Sequence, residues 1–134
     1  MMRKVIITAI VAGAAYAASL AIPLSAGSSL RVIDGDTIEM NGETVRIANI
    51  DAPETARAKC EAERIRGYAV TQALTDLLAR GAVTLQRGDP KSRRQVDRYG
   101  RTLGLVFVDG HDVGELLITM GHARCWTGKR RPWC

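Results

Sequence analysis

Thr37-Ile38-Glu39-Met40-Asn41-Gly42-Glu43-Thr44-Val45-Arg46-Ile47-Ala48-Asn49-Ile50 is the stretch that decides the fold class. Asn41-Gly42 between two runs of strand character is the strongest short hairpin signal, because a type I′ turn needs positive φ at both central positions. Thr37 to Met40 and Glu43 to Ile50 are therefore expected to pair antiparallel. Along the second run, Val45, Ile47 and Asn49 share one face, and Arg46, Ala48 and Ile50 the other. Arg31 to Asp34 reads as a preceding strand piece, with Gly35 allowing a tight bend before Thr37. Pro53 ends the ladder, since it has no N–H to donate.

Downstream the period changes. Between Glu61 and Arg80, the residues Val70, Ala73, Leu74, Leu77 and Leu78 fall at three- and four-residue steps, which marks an amphipathic helix. Gly81 stands where a C-terminal cap is expected. Val83 to Arg87 and Thr102 to Val108 read as strands, separated by a charged loop from Gly88 to Asp97. Val113 to Met120 reads as a short helix stopped by Gly121. The tail from His122 to Cys134 is basic and aromatic. Three strands, a helix, two or more strands and a short helix give a mixed β/α chain. The best fit is a five-stranded OB-fold barrel with one long and one short helix. Neither an internal repeat nor an interdomain linker interrupts it.

The chain has 134 residues. Arg3-Lys4, an uncharged run from Val5 to Leu24 and the small, polar Ser25-Ala26-Gly27-Ser28-Ser29 form the three parts of a secretory signal. Cleavage is expected after Ala26, with Ala17 as the alternative site; an uncleaved anchor is the competing reading. Residues 27–134 then form one domain, periplasmic or secreted, with no stable membrane association and expected to be a monomer. Of 19 basic residues two leave with residues 1–26, so the domain holds 17 against 14 acidic, or +3. That permits a polyanionic partner without requiring one. Cys60, Cys125 and Cys134 all lie in the exported part, where pairing of two is favoured. Spacing does not say which two; Cys60–Cys134 closes the longer loop, ties down the tail and is the expected bridge. A zinc site is disfavoured by the lack of any Cys-x-x-Cys or His-x₃-His pair.

Three stretches hold the candidate chemistry: Ile33-Asp34-Gly35-Asp36-Thr37, then Arg46 through Asp51-Ala52-Pro53-Glu54-Thr55, then Asp97-Arg98-Tyr99-Gly100-Arg101. Asp36 and Asp51 come out near one end of the hairpin if it pairs in simple register, and two converging carboxylates suit a hard cation. Glu54, held by Pro53, is placed to act as a general base. Arg46 in mid-strand needs an anionic partner, and its guanidinium fork matches a carboxylate or two phosphate oxygens. Read singly, each could also be a turn cap or a surface charge. His111 and His122 belong to no motif and read as loop or surface residues.

Taken together and in this order, the three stretches resemble the staphylococcal-nuclease-like (thermonuclease) family, from about Leu30 to Trp126. The resemblance implies the barrel and a Ca²⁺-dependent nuclease acting on DNA and RNA, with products ending in 3′-phosphate. It implies Asp36 and Asp51 as carboxylate ligands of Ca²⁺, the main-chain carbonyl of Ala52 as a third ligand, and Asp34 in the outer shell. It implies Glu54 acting on the attacking water, Arg46 and Arg101 gripping the phosphate, and Arg98 and Tyr99 contacting a terminal phosphate. Two departures stand out. Thr127, Gly128 and Lys129-Arg130-Arg131 follow Trp126 where the best-known members place stacking tyrosines, which leaves Trp126 or Trp133 as substitutes. The usual further C-terminal helix is also lacking. A non-catalytic OB-fold that binds single-stranded nucleic acid is the alternative, and an envelope interaction module a third.

Overall fold

The computed structural model describes residues 29–134 and the backbone of one short strand, Ala21–Pro23. Apart from that strand, the expected export signal at residues 1–26 lies outside the described residues. The elements run β1 (Ala21–Pro23), β2 (Leu30–Asp34), β3 (Thr37–Met40), β4 (Glu43–Ile47), β5 (Ile50–Asp51), α1 (Glu61–Leu78), β6 (Val83–Arg87), β7 (Thr102–Val108), β8 (His111–Asp112), α2 (Val113–Thr119) and β9 (Arg124–Cys125). No helix among them is long and apolar enough to cross a membrane.

The hairpin forms as its turn chemistry dictates. Asn41 and Gly42 both have positive φ, 51° and 81°, and Met40 pairs with Glu43. The sheet then runs β1-β6-β7-β4-β3-β2, with β8 added on β7 and a parallel step between β4 and β7. This is the expected mixed β/α architecture, with a long and a short helix among the described residues. The closed five-stranded barrel is not seen. The ladder stays open between β1 and β2, although these edge strands are consecutive in the chain.

Two local expectations need correction. The strand expected from Glu43 to Ile50 stops at Ile47. The backbone turns at Ala48 and Asn49, and Ile50–Asp51 leaves the main sheet to pair with β9 in the tail. The pull comes from the side: Trp126 N–H donates to the Asn49 carbonyl at 3.0 Å, and Ala48 N–H donates to Gly104 at 2.9 Å. Gly81 is not a left-handed cap: α1 ends at Leu78 with Ala79 as its C-cap, and Gly81 does not take positive φ. A Cβ there would sit 1.9 Å from the Asp109 carboxylate, so a larger residue would have to turn aside the side chain that accepts the Ala82 N–H. Gly35 likewise admits close packing: a Cβ would meet Val70 of α1 at 2.3 Å. Gly121, at φ 79°, does end α2 as expected.

The core lies between the sheet and the inner faces of both helices. Ile38, Val45 and Ile47 from the hairpin meet Val70, Leu74 and Leu77 of α1 and Val113 and Leu117 of α2, all nearly inaccessible. Burying one such side chain is worth about 1.5–3 kcal/mol, so the core fixes how the hairpin sits against α1. Cys60 is the N-cap of α1 and is bridged to Cys134, which stitches the tail to the start of that helix. Cys125 is free and exposed. Thiol titration of the oxidised protein should therefore count one reactive cysteine, rising to three after reduction and unfolding.

Glu43 joins three strands at the far end of the sheet. Arg87 Nη2 donates to its Oε2 at 2.7 Å and Thr102 Oγ1 to its Oε1 at 2.6 Å. These bonds from Arg87 and then Thr102 lower the carboxyl from 4.5 to about 2. An acid lowered on folding adds stability above its unfolded value and loses it as pH falls, here between about 4.5 and about 2. With 36% of the Glu43 side chain exposed, solvent screening keeps the effect modest. Glu43→Gln should lower stability at neutral pH and flatten the acid arm in that window. Urea denaturation across pH checks this, and curves parallel to wild type would refute it.

Candidate active site

Asp36 occupies the turn between β2 and β3, and its carbonyl accepts the Ile47 N–H at 2.8 Å. That bond ties the turn to the end of β4. Its carboxylate, 5% exposed as a residue, accepts from Thr37 Oγ1 at 2.8 Å. Thr37 pairs with Arg46 across the hairpin, which brings Arg46 beside it. The Arg46 Nη2 lies 3.7 Å from Asp36 Oδ2 and donates to the Ile50 carbonyl at 2.9 Å, while Nη1 donates to the carbonyl of Ile47. Trp126 covers the guanidinium, 5.4 Å from its ring centroid. The face of β4 that carries Arg46 is thus buried too, and Arg46 is only 9% exposed.

Asp51 ends β5 and is 2% exposed. Opposite it on β9, Arg124 Nη2 approaches Asp51 Oδ2 at 3.2 Å. Ala52, 1% exposed, follows directly. Glu54 comes next, on a loop gripped from both sides. Its N–H donates to Glu63 Oε2 at 3.0 Å, and Lys59 N–H donates to Glu63 Oε1 at 3.0 Å. Its carbonyl presses on Gly67 of α1, where a Cβ would sit 2.2 Å away. Asp34 adds a third tie, accepting from Thr55 Oγ1 at 2.9 Å. Asp34 thus braces the Glu54 loop.

Arg101 is placed by Asp97, whose Oδ2 accepts from its Nε at 2.6 Å; its Nη1 donates to Thr37 Oγ1 at 3.3 Å. An open cleft of about 250 Å³ brings Arg101 together with Asp34, Asp36, Thr37 and Glu54, and adds Arg57. Arg98 and Tyr99 stand outside it, exposed. Arg98 Nη2 donates to the Tyr99 hydroxyl at 2.8 Å, and Arg101 lies 5.5 Å from the same ring. Both guanidiniums named in the sequence therefore face the acidic group.

The structure adds two arginines that the motifs do not name: Arg124 at Asp51, and Arg130 from the tail. Arg130 Nη2 is 3.8 Å from both Asp36 Oδ2 and Asp51 Oδ1, and it pairs with Glu54 Oε1. Burial alone would lower its pKa, but Glu54, Asp36 and Asp51 outweigh that and raise it, so it stays charged. Glu54 is raised above 4.5, chiefly by burial, with Asp36 and Asp34 adding to the rise and Arg130 opposing it. Glu63 is lowered: its burial would raise it, but the backbone N–H bonds from Lys59 and Glu54 prevail.

The donor chemistry fits a hard cation. Asp36 and Asp51 offer carboxylate oxygens, and Asp51 Oδ1 is buried without a hydrogen-bond donor. No three acidic, His or Cys side chains among the described residues gather into a ligand cage. The tryptophans proposed as stacking surfaces are engaged: Trp126 covers Arg46, and Arg124 lies 3.6 Å from the Trp133 ring. His111 is exposed and His122 partly exposed, both outside this group.

A family model described as staphylococcal nuclease homologue matches residues 44–132. The chain belongs to that family. Asp34 and Asp36 lie just upstream of the matched span and join the site through the β3–β4 register. Among curated relatives, a micrococcal nuclease of Shigella flexneri is 40% identical over 85 residues, covering 60% of this chain and 41% of the relative. The SPbeta prophage-derived endonuclease YokF of Bacillus subtilis is 38% identical over 98 residues, covering 70% and 32%. The succinoglycan biosynthesis protein ExoI of Rhizobium meliloti is 41% identical over 97 residues, covering 69% and 48%. This chain thus spans less than half the length of each of these family relatives.

Gly67→Ala should push α1 off the Glu54 loop and cost roughly 1–3 kcal/mol. A chemical-denaturation midpoint equal to wild type would show that helix and loop have slack there.

Proposed function

We propose that this protein is an exported nuclease that hydrolyses phosphodiester bonds of DNA and RNA with Ca²⁺, leaving 3′-phosphate ends. One observation supports this above the rest: Arg46, Arg101 and Glu54 converge with two buried aspartates on one side of the fold. Family membership, with relatives named as nucleases, agrees. Asp36, Asp51 and the Ala52 carbonyl would hold the ion, which when bound supplies Lewis-acid polarisation of a phosphoryl oxygen.

The remaining work falls to the chain. Arg101 and Arg46 oppose the charge that builds on the phosphate in the transition state. Arg46 is held by two carbonyls and a tryptophan, so little reorganisation is needed when that charge appears. Glu54, held by its backbone, orients or deprotonates a water whose oxygen attacks phosphorus in line with the departing 5′ oxygen. Its raised pKa, set mainly by burial, makes it a better proton acceptor than an exposed glutamate. Arg98 and Tyr99, exposed beside Arg101, are placed to meet a further phosphate of the strand. The export signal would deliver the enzyme as a monomer to the periplasm or the medium.

Purified protein should shorten single-stranded DNA with Ca²⁺ and leave it intact with a chelator. Arg101→Ala should lower kcat by about 10²–10³, the cost of losing one charge-stabilising donor. Glu54→Gln should abolish most turnover and guards against a contaminating nuclease. A gel shift without shortening would favour a non-catalytic binder of single strands.

A further inference from the structure

The C-terminal tail lays a cation across the acidic group and is fastened there at several points. The Cys60–Cys134 bridge holds its end. Arg124 donates to the carbonyls of Arg131 at 2.8 Å and Pro132 at 3.2 Å, and stacks on Trp133 at 3.6 Å. Arg66 of α1 donates to the Trp133 carbonyl at 3.1 Å. Within this strapped segment, the Arg130 guanidinium reaches Asp36, Asp51 and Glu54 together. The hydrogen bonds by which Arg124 and Arg66 hold the tail all go to its backbone carbonyls, and the stacking partner is Trp133. The path of the tail is thus set independently of the side chain at position 130.

We infer that Arg130 is a tethered competitor for the carboxylates, and that a divalent cation binds Asp36 and Asp51 only when this guanidinium withdraws. The inference rests on the cation site of the proposed function. A Ca²⁺ ion sits about 2.3–2.6 Å from its oxygen ligands. Arg130 Nη2, 3.8 Å from an oxygen of each aspartate, occupies the space between them with the same sign of charge. A free guanidinium would compete poorly with a divalent ion. A tethered one acts at an effective concentration on the order of millimolar or higher. The apparent affinity for the cation is then reduced by the fraction of time the site stands open. The Arg130 side chain is 46% exposed, so it has open space into which to withdraw. The device sets a threshold: the site fills where divalent cation is abundant and stays closed by its own arginine where it is scarce.

Calcium titration calorimetry on the oxidised, folded protein tests this without any turnover assay. Arg130→Gln should bind Ca²⁺ about tenfold or more tightly than wild type. Lys129→Gln removes the same charge from an exposed neighbour and should change affinity by less than about twofold. Cys134→Ser should tighten binding by slackening the tether, and should add nothing in an Arg130→Gln background. Equal gains in Arg130→Gln and Lys129→Gln would reduce the effect to net charge and overturn the inference. Unchanged or weaker binding in Arg130→Gln would overturn it as well, while leaving the cation site standing. Absence of Ca²⁺ binding in all these proteins would overturn both the inference and the site it rests on.

Discussion

Two carboxylates buried near one another demand compensating charge from the rest of the fold. Asp36 and Asp51 are 5% and 2% exposed, and an unpaired charge at such depth costs several kcal/mol. The local structure answers this demand residue by residue. Arg46 is drawn against Asp36 across the hairpin, Arg124 faces Asp51 across the β5–β9 pair, and Arg130 closes over both. β4 gives up its ladder at Ile47 to let Asp51 turn inward, and the tail adopts a short strand to receive it. A concentration of negative charge thus organises the chemistry and the course of the C-terminus together.

Position of the Glu54 loop follows from the same economy of contacts. It makes no strand and no helix of its own, so its geometry is imposed by neighbours. Glu63, inside the first turn of α1, takes two of its N–H groups, and Gly67 one turn later lets the loop lie directly on the helix. Asp34 fixes the loop from the opposite side through Thr55. α1 therefore packs the core with one face and positions the site with its first turns.

Much of this was legible in the sequence where a local rule has a single solution. Asn41-Gly42 admits one turn type, the spacing of Val70, Ala73, Leu74, Leu77 and Leu78 admits a helix, and both appear as read. Asp36, Asp51, Glu54, Arg46 and Arg101 also come together, while Arg98 stays outside. What stayed hidden depends on tertiary proximity. Gly81 looked like a cap, yet what lies against it is Asp109, arriving from a distant turn. The strand break at Ile47 depends on a partner more than seventy residues away in the chain. Arg130 was one charge in a basic run. Its role was nonetheless implied by the bridge, since joining Cys134 to Cys60 brings the tail within a few residues of the Glu54 loop.

The parallel step between β4 and β7 has a consequence of its own. Val45 pairs with Thr102 and Arg46 with Leu103, so the backbone ladder sets how far apart Arg46 and Arg101 stand. In a strand the side chains alternate, and a slip of one residue turns every one of them to the other face. A deletion between Arg101 and Gly104 would send one arginine to the wrong side of the sheet. The loop tip from Asp89 to Arg94 is under no such rule, whereas Gln95 to Asp97 are tied to Arg101 and the start of β7. Length drift during evolution is accordingly expected to collect at that tip and to spare the few residues that keep the two strands in phase.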